Sequence, residues 1–370
     1  MNEAISNRLT SLDVFRGLTI AAMVLVNNPG TWSAVYPPLK HAEWHGWTPT
    51  DMIFPFFVFI VGVSISLSLG RRVEESGVTS KIVTKIFVRS GAIFLLGLIQ
   101  MGYPFFDLAN LRIPGVLQRL ALCYLFAALI FLFTKTRGQV IGVAVLTLGY
   151  WALMYFGANG DYSMEGNFSG YVDRLVIPVN HLYKPTREFY DPEGLLSTMP
   201  AIASCLIGVL CGNWIRRKRD HHETVSGLFV AGIILTFIGW VWNFWFPINK
   251  PIWTSSYVMY MGGLALCFLG LCYWLIDVRG VKWWTRPFEI FGTNALALYF
   301  GSAIFTRTLI NIKWDIGEGK TTNVQKWFYD SAIAPYFEPI NASLVFAILY
   351  ILLWLFLMWL LYRKKIFIKV

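Results

Sequence analysis

Ten long apolar runs constrain this chain more than anything else in it. They fall near residues 14–34, 51–70, 82–102, 113–134, 138–157, 194–215, 226–246, 255–277, 288–307 and 343–362. Each is about as long as a helix must be to cross a hydrocarbon core of roughly 30 Å. Backbone inside lipid must satisfy its own hydrogen bonds, so serial runs of this length specify helices packed side by side. The expected fold is all-α: a polytopic integral membrane helix bundle of about ten transmembrane helices. Charged residues make up only 14% of the chain. Soluble domains carry about a quarter, so the two- or three-domain soluble reading that length alone suggests is set aside. No internal repeat or low-complexity tract divides the sequence, and residues 1–370 are read as one membrane domain. The first run lacks a small-residue cleavage pattern and is expected to remain as a span.

Charge orients the bundle. Arg71, Arg72, Lys81 and Lys85 follow the second run, Lys135 and Arg137 the fourth, and Arg216, Arg217, Lys218 and Arg219 the sixth. Arg279, Lys282 and Arg286 follow the eighth, and Arg363, Lys364 and Lys365 the last. Every second connection is basic, which by the positive-inside rule makes these cytoplasmic and puts both termini there. The net charge of +10 is read as this anchoring charge rather than as a nucleic-acid surface. The remaining connections face outward, including the loop with His41 and the long segments 158–193 and 308–342. Both long segments are expected to fold over a mouth in the bundle. The five cysteines, Cys123, Cys205, Cys211, Cys267 and Cys272, all lie in apolar runs without zinc-ligand spacing and read as small buried hydrophobes.

Ionisable groups at the ends of membrane spans are functional candidates by default. His41 stands in the first outward loop, and a histidine can take up a proton near neutrality. His45 follows at helical metal-binding spacing, but Pro37, Pro38 and Pro49 argue against a regular helix there. Asn27 closes the first run, where an amide could donate to an oxyanion or bond a neighbouring helix. Asn28 leaves the choice between the two open. Asp13 and Arg16 are three residues apart on one helix face, which suggests a mutual ion pair first and a substrate role second. Gln118 and Arg119 lie within the fourth run and Arg89 within the third. An arginine fork suits phosphates, and it can equally snorkel to headgroups. The chain carries no Walker loop, no Gly-x-Ser-x-Gly elbow and no His-Glu-x-x-His.

At these residues the sequence resembles the heparan-alpha-glucosaminide N-acetyltransferase family, within a wider group of transmembrane acyltransferases. The likeness runs in order through Ser11-Leu12-Asp13-Val14-Phe15-Arg16-Gly17, Val26-Asn27 and Lys40-His41-Ala42-Glu43-Trp44. It continues through Asp51-Met52-Ile53-Phe54-Pro55, Arg112 to Arg119, Gly170 to Arg174, His181-Leu182-Tyr183 and Asp191-Pro192-Glu193-Gly194. Weaker similarity extends beyond residue 250. Lysosomal members carry an added amino-terminal lumenal domain and one more span. This sequence begins at the core, so it looks like a bacterial-type member, expected in the cytoplasmic (inner) membrane.

The resemblance implies transfer of acetyl from cytoplasmic acetyl-CoA to the amine of a glucosamine-type sugar on the outer side. It implies His41 and Asn27 as the catalytic pair. Arg89, Gln118 and Arg119 are the cofactor-binding candidates, and Asp13, Arg16 and Glu193 the substrate-binding ones. Acetyl-CoA is the co-substrate and no metal is expected. The expected partners are the amino-sugar acceptor and membrane lipids, not nucleic acid, with a homodimer left open. Direct transfer and an acetyl-histidine intermediate both remain open mechanisms. An amino-sugar permease is the alternative function, and a non-catalytic assembly factor a third.

Overall fold

A computed structural model describes residues 9–217, 219–317 and 319–368. Lys218, within the basic connection after the sixth run, lies outside the described residues. Among the described residues nine helices are long and apolar enough to cross a membrane, or up to ten if a bent pair counts as one span. In chain order they are α1 (Thr10–Asn27), α2 (Pro49–Ser76), α3 (Ser80–Gly102), α4 (Val116–Phe133) and α5 (Thr136–Gly157). The short α6 (Phe168–Val176) intervenes before α7 (Thr198–Arg216), α8 (His221–Trp242) and α9 (Ser255–Tyr273). The bent pair is α10 (Arg286–Thr293) with α11 (Ala295–Asn311), at 80° to each other. A two-stranded antiparallel hairpin, β1 (Lys313–Asp315) and β2 (Thr321–Asn323), and α12 (Val324–Ala332) lead to α13 (Pro339–Arg363).

The apolar runs and the helices differ most in two places. The first run was read as 14–34, but α1 ends at Asn27. Pro29 offers no amide hydrogen to continue the ladder, and Gly30 donates its amide to the Ser343 carbonyl instead. The ninth run, read as one span over 288–307, is broken at Asn294. The Asn294 side chain donates to Ile366 O and accepts from Ile368 N, so it bonds the chain end rather than the helix.

Small residues let the central helices touch. A Cβ on Gly17 would fall 1.8 Å from the Phe288 carbonyl oxygen, and one on Gly292 2.1 Å from that of Asp13. Gly62 meets Cys205 O, and Gly208 meets Phe59 O, in the same way between α2 and α7. Backbone contact of this kind is how membrane helices gain packing without a hydrophobic drive between them. In the most apolar 18-residue stretch of each helix, two-thirds or more of α1, α2 and α7 is buried (67%, 72% and 72%), against 22% for α3, α5 and α8 and 28% for α13. The first three form the centre of the bundle, and the last four present apolar faces suited to lipid.

Candidate active site

The site begins with the cap of α2. Thr48 and Asp51 form a capping box, which satisfies the orphan amides at the start of this helix. Asp51 does more than cap. Its Oδ2 accepts from the amides of Ala42 and Thr48, each at 3.0 Å, while Oδ1 lies 2.6 Å from His41 Nδ1. The carboxylate is 1% exposed, and burial of that charge requires this set of donors. An ionised carboxylate only accepts, so Nδ1 is the ring nitrogen that carries the proton shared with Asp51, and Nε2 is the one turned from it. The His41 side chain is 54% exposed and opens on a cavity of about 440 Å³.

A second loop brings a cation to the same ring. Lys250 Nζ lies 3.0 Å from His41 Nδ1, 3.3 Å from Nε2 and 3.4 Å from Asp51 Oδ1. Asn249 fixes that loop by donating to the Trp44 carbonyl and accepting from the Ile252 amide. Gly46 donates to Ile248 O at 2.7 Å, so the two loops are stitched together at the two residues just before Lys250. Burial lowers the Lys250 pKa from its ordinary value, and the charges of Asp51 and Glu193 oppose that fall.

Asn27 and Asn28 stand in different surroundings. Asn28 is buried, donates to Val24 O at 2.8 Å and accepts from Thr306 at 2.6 Å. Asn27 is exposed and lines the cavity that holds His41. Glu193 lines the same cavity, as do Arg112, Tyr183 and Tyr299. Arg112 makes a fork to Asp191 (2.5 and 3.2 Å), reaches Glu193 at 2.5 Å, and stacks 4.4 Å over the Tyr183 ring. Burial alone would lower the Arg112 pKa; Glu193 and Asp191 outweigh it and hold the charge in place.

The other sequence candidates lie outside the cavity wall. Asp13 and Arg16 pair at 3.0 Å, and Arg16 also donates to Ser64 Oγ at 2.9 Å and Gly292 O at 3.4 Å. Their pairing is the first of the two readings given above, and it ties α1 to α2 and α10. Arg119 is 1% exposed, with its Nη2 donating to Gly194 O and Ser197 and its guanidinium 5.2 Å over the Trp253 ring. Its Nε and Nη1, and both amide atoms of Gln118, are buried without a hydrogen-bond partner. Arg89 is exposed on α3, 5.0 Å over the Tyr124 ring. The structure thus brings His41, Asn27 and Glu193 together and leaves Asp13, Arg16, Arg89, Gln118 and Arg119 apart from them. Sequence reasoning missed Asp51 as a partner of His41 and missed Lys250 altogether. The capping box at Thr48 was a signal for the first. For the second, a lysine between Asn249 and Pro251 on a connection read as outward was the clue.

Comparison with known proteins adds to this geometry. A family model described as heparan-alpha-glucosaminide N-acetyltransferase, catalytic, matches residues 8–245. A protein from Mus musculus named heparan-alpha-glucosaminide N-acetyltransferase is 29% identical over 424 residues, covering 99% of this chain and 61% of that protein. The protein of the same name from Homo sapiens is 29% identical over 426 residues, covering 99% and 60%. The chain therefore spans about three-fifths of the length of the curated relatives it matches. His41, Asn27, Asp51, Arg112 and Glu193 fall inside the family match, and Lys250 lies beyond its end.

Proposed function

This chain belongs to the heparan-alpha-glucosaminide N-acetyltransferase family, and on that premise we propose that it is a transmembrane acetyltransferase. It moves acetyl from acetyl-CoA, delivered from the cytoplasmic side, to the amine of a glucosamine-type sugar on the outer side. One arrangement carries this reading. His41, backed by a buried carboxylate at 2.6 Å, shares a cavity wall with the Asn27 amide.

The chemistry follows from those two side chains. Acetyl-CoA supplies the thioester carbonyl. As the acceptor nitrogen attacks it, His41 Nε2 takes the proton the nitrogen must lose. Asn27 donates to the carbonyl oxygen while that oxygen gains negative charge. When the C–S bond breaks, the departing thiolate recovers the proton from His41. Asp51 holds the ring in the tautomer that leaves Nε2 free, and stabilises the cation formed midway. Glu193 is the acceptor-site carboxylate, with one oxygen committed to Arg112. Arg89 is the candidate for the cofactor phosphates. The unpartnered polar atoms of Gln118 and Arg119 suit the amide-bearing arm of the cofactor.

Purified protein given radiolabelled acetyl-CoA and a panel of amino sugars is expected to form a labelled N-acetyl sugar. Uptake of the sugar into proteoliposomes without acetylation would replace this reading with a permease. Sidedness has its own test. Arg217→Cys in an otherwise Cys-free chain should resist an impermeant thiol reagent in intact cells, as a cytoplasmic loop must.

A further inference from the structure

A histidine paired with a carboxylate meets a conflict when it must act as a base. The carboxylate that orients the ring also favours its protonated form, and an imidazolium cannot accept a proton. At His41 the pairing is close, with Asp51 Oδ1 2.6 Å from Nδ1. Something must offset the negative charge if the ring is to stay receptive near neutrality.

We infer that Lys250 is a positioning residue for this reaction, its ammonium offsetting Asp51 so that the His41 ring is held in place yet stays unprotonated until the acceptor arrives. The inference rests on the transfer reaction proposed above for its catalytic meaning. Its physical basis is independent of that. Lys250 Nζ is 3.0 and 3.3 Å from the two ring nitrogens and 3.4 Å from Asp51 Oδ1. Coulomb energy scales inversely with distance, so a positive charge at 3.0 Å from Nδ1 largely cancels a negative one at 2.6 Å. Lys250 is also fixed. Its side chain is 20% exposed, and Asn249 and Gly46 tie its loop to the loop that carries His41.

The other ionisable groups on the cavity wall do not replace it. Glu43, from the loop of His41, and Glu193 are negative and would add to the effect of Asp51. Arg112 is positive but is committed to Asp191 and Glu193. Tyr183, Tyr190 and Tyr299 carry phenol groups, which supply no cation. Off the cavity wall, His45 faces Asn249.

The test compares Lys250→Met and Lys250→Arg with the parent protein. Histidine labelled at the ring carbon gives five resonances, and the one lost in His41→Gln reports His41. In Lys250→Met the His41 titration midpoint should move up by about one pH unit or more. Lys250→Arg should keep it near the parent value. The acid limb of kcat should shift with it, costing about tenfold at pH 6.5 and recovering toward the parent at alkaline pH. Lys250→Gln replaces Lys250→Met if that variant does not fold. A midpoint unchanged or lowered in the neutral variants overturns the inference, whatever the activity. A raised midpoint in a protein that transfers no acetyl would keep the electrostatic role and discard the proposed function instead.

Discussion

The segments 158–193 and 308–342 look alike in sequence, both long, aromatic and on connections read as outward, but the fold uses them differently. The first reaches the cavity. Tyr183, Tyr190, Pro192 and Glu193 line it, and Arg112 holds the end of the segment through Asp191 and Glu193. No described residue of 308–342 lines that cavity. Its Tyr329, Ile333 and Ala342 join Phe346 of α13 in a separate apolar cluster, and the Tyr329 ring presses on Gly30. The difference lies in a charged anchor: Arg112 reaches into the first segment and fixes its polar groups on the cavity wall, and length and aromatic content do not.

The largest effect that would sharpen this contrast comes from Asp191→Ala. It strands the Arg112 cation beside a single carboxylate, and removing one partner of a buried pair costs about 3–5 kcal/mol. Thermal unfolding in detergent should show that loss, and acetyl transfer should fall with it. Tyr329→Ala should cost about 3 kcal/mol by truncating a packed aromatic. Its transfer rate per folded molecule should stay at the parental value. A marked fall in that rate would break the comparison.

Glu193→Gln is a smaller change. Arg112 keeps its fork to Asp191, so the fold should hold. The KM for the amino sugar should rise by about tenfold, the scale of one charged hydrogen bond. An unchanged KM would remove Glu193 from the acceptor site. Asp173→Asn probes the root of the same segment and should have the smallest effect. Burial pushes the Asp173 carboxyl from 3.8 up to about 6, against the amide donations from Leu196 and Leu195. The folded protein therefore holds that proton more tightly than the unfolded chain. Its contribution to stability is complete below about pH 4 and is lost as pH rises through about 6. The parent should lose stability relative to the variant as pH rises over that window, and a constant difference would contradict the shift.

The helices were legible because lipid leaves backbone few alternatives, and periodicity and length then mark them. Their interruptions were less so. Asn294 breaks the ninth run by bonding the carboxyl-terminal segment, a partner 72 residues away that no local pattern reveals. His41 and Asn27 stood out as polar groups at or beside a span end, Glu193 came with the family resemblance, and all three line one cavity. Which of Asn27 and Asn28 lines the cavity follows from Thr306, 278 positions from Asn28, which holds Asn28 in the bundle. Lys250 was missed for the same reason. Its meaning depends on a contact with His41 across 209 positions, and alone it is one more lysine in a loop.

The central claim is that His41 is the base of an acetyl transfer, and single-turnover acetylation of glucosamine by His41→Ala tests it most directly. The variant should fold and bind acetyl-CoA as the parent does, with transfer reduced by about 100- to 10,000-fold, the usual contribution of a general base. A folded His41→Ala protein that acetylates glucosamine at near-parental rate would contradict the account.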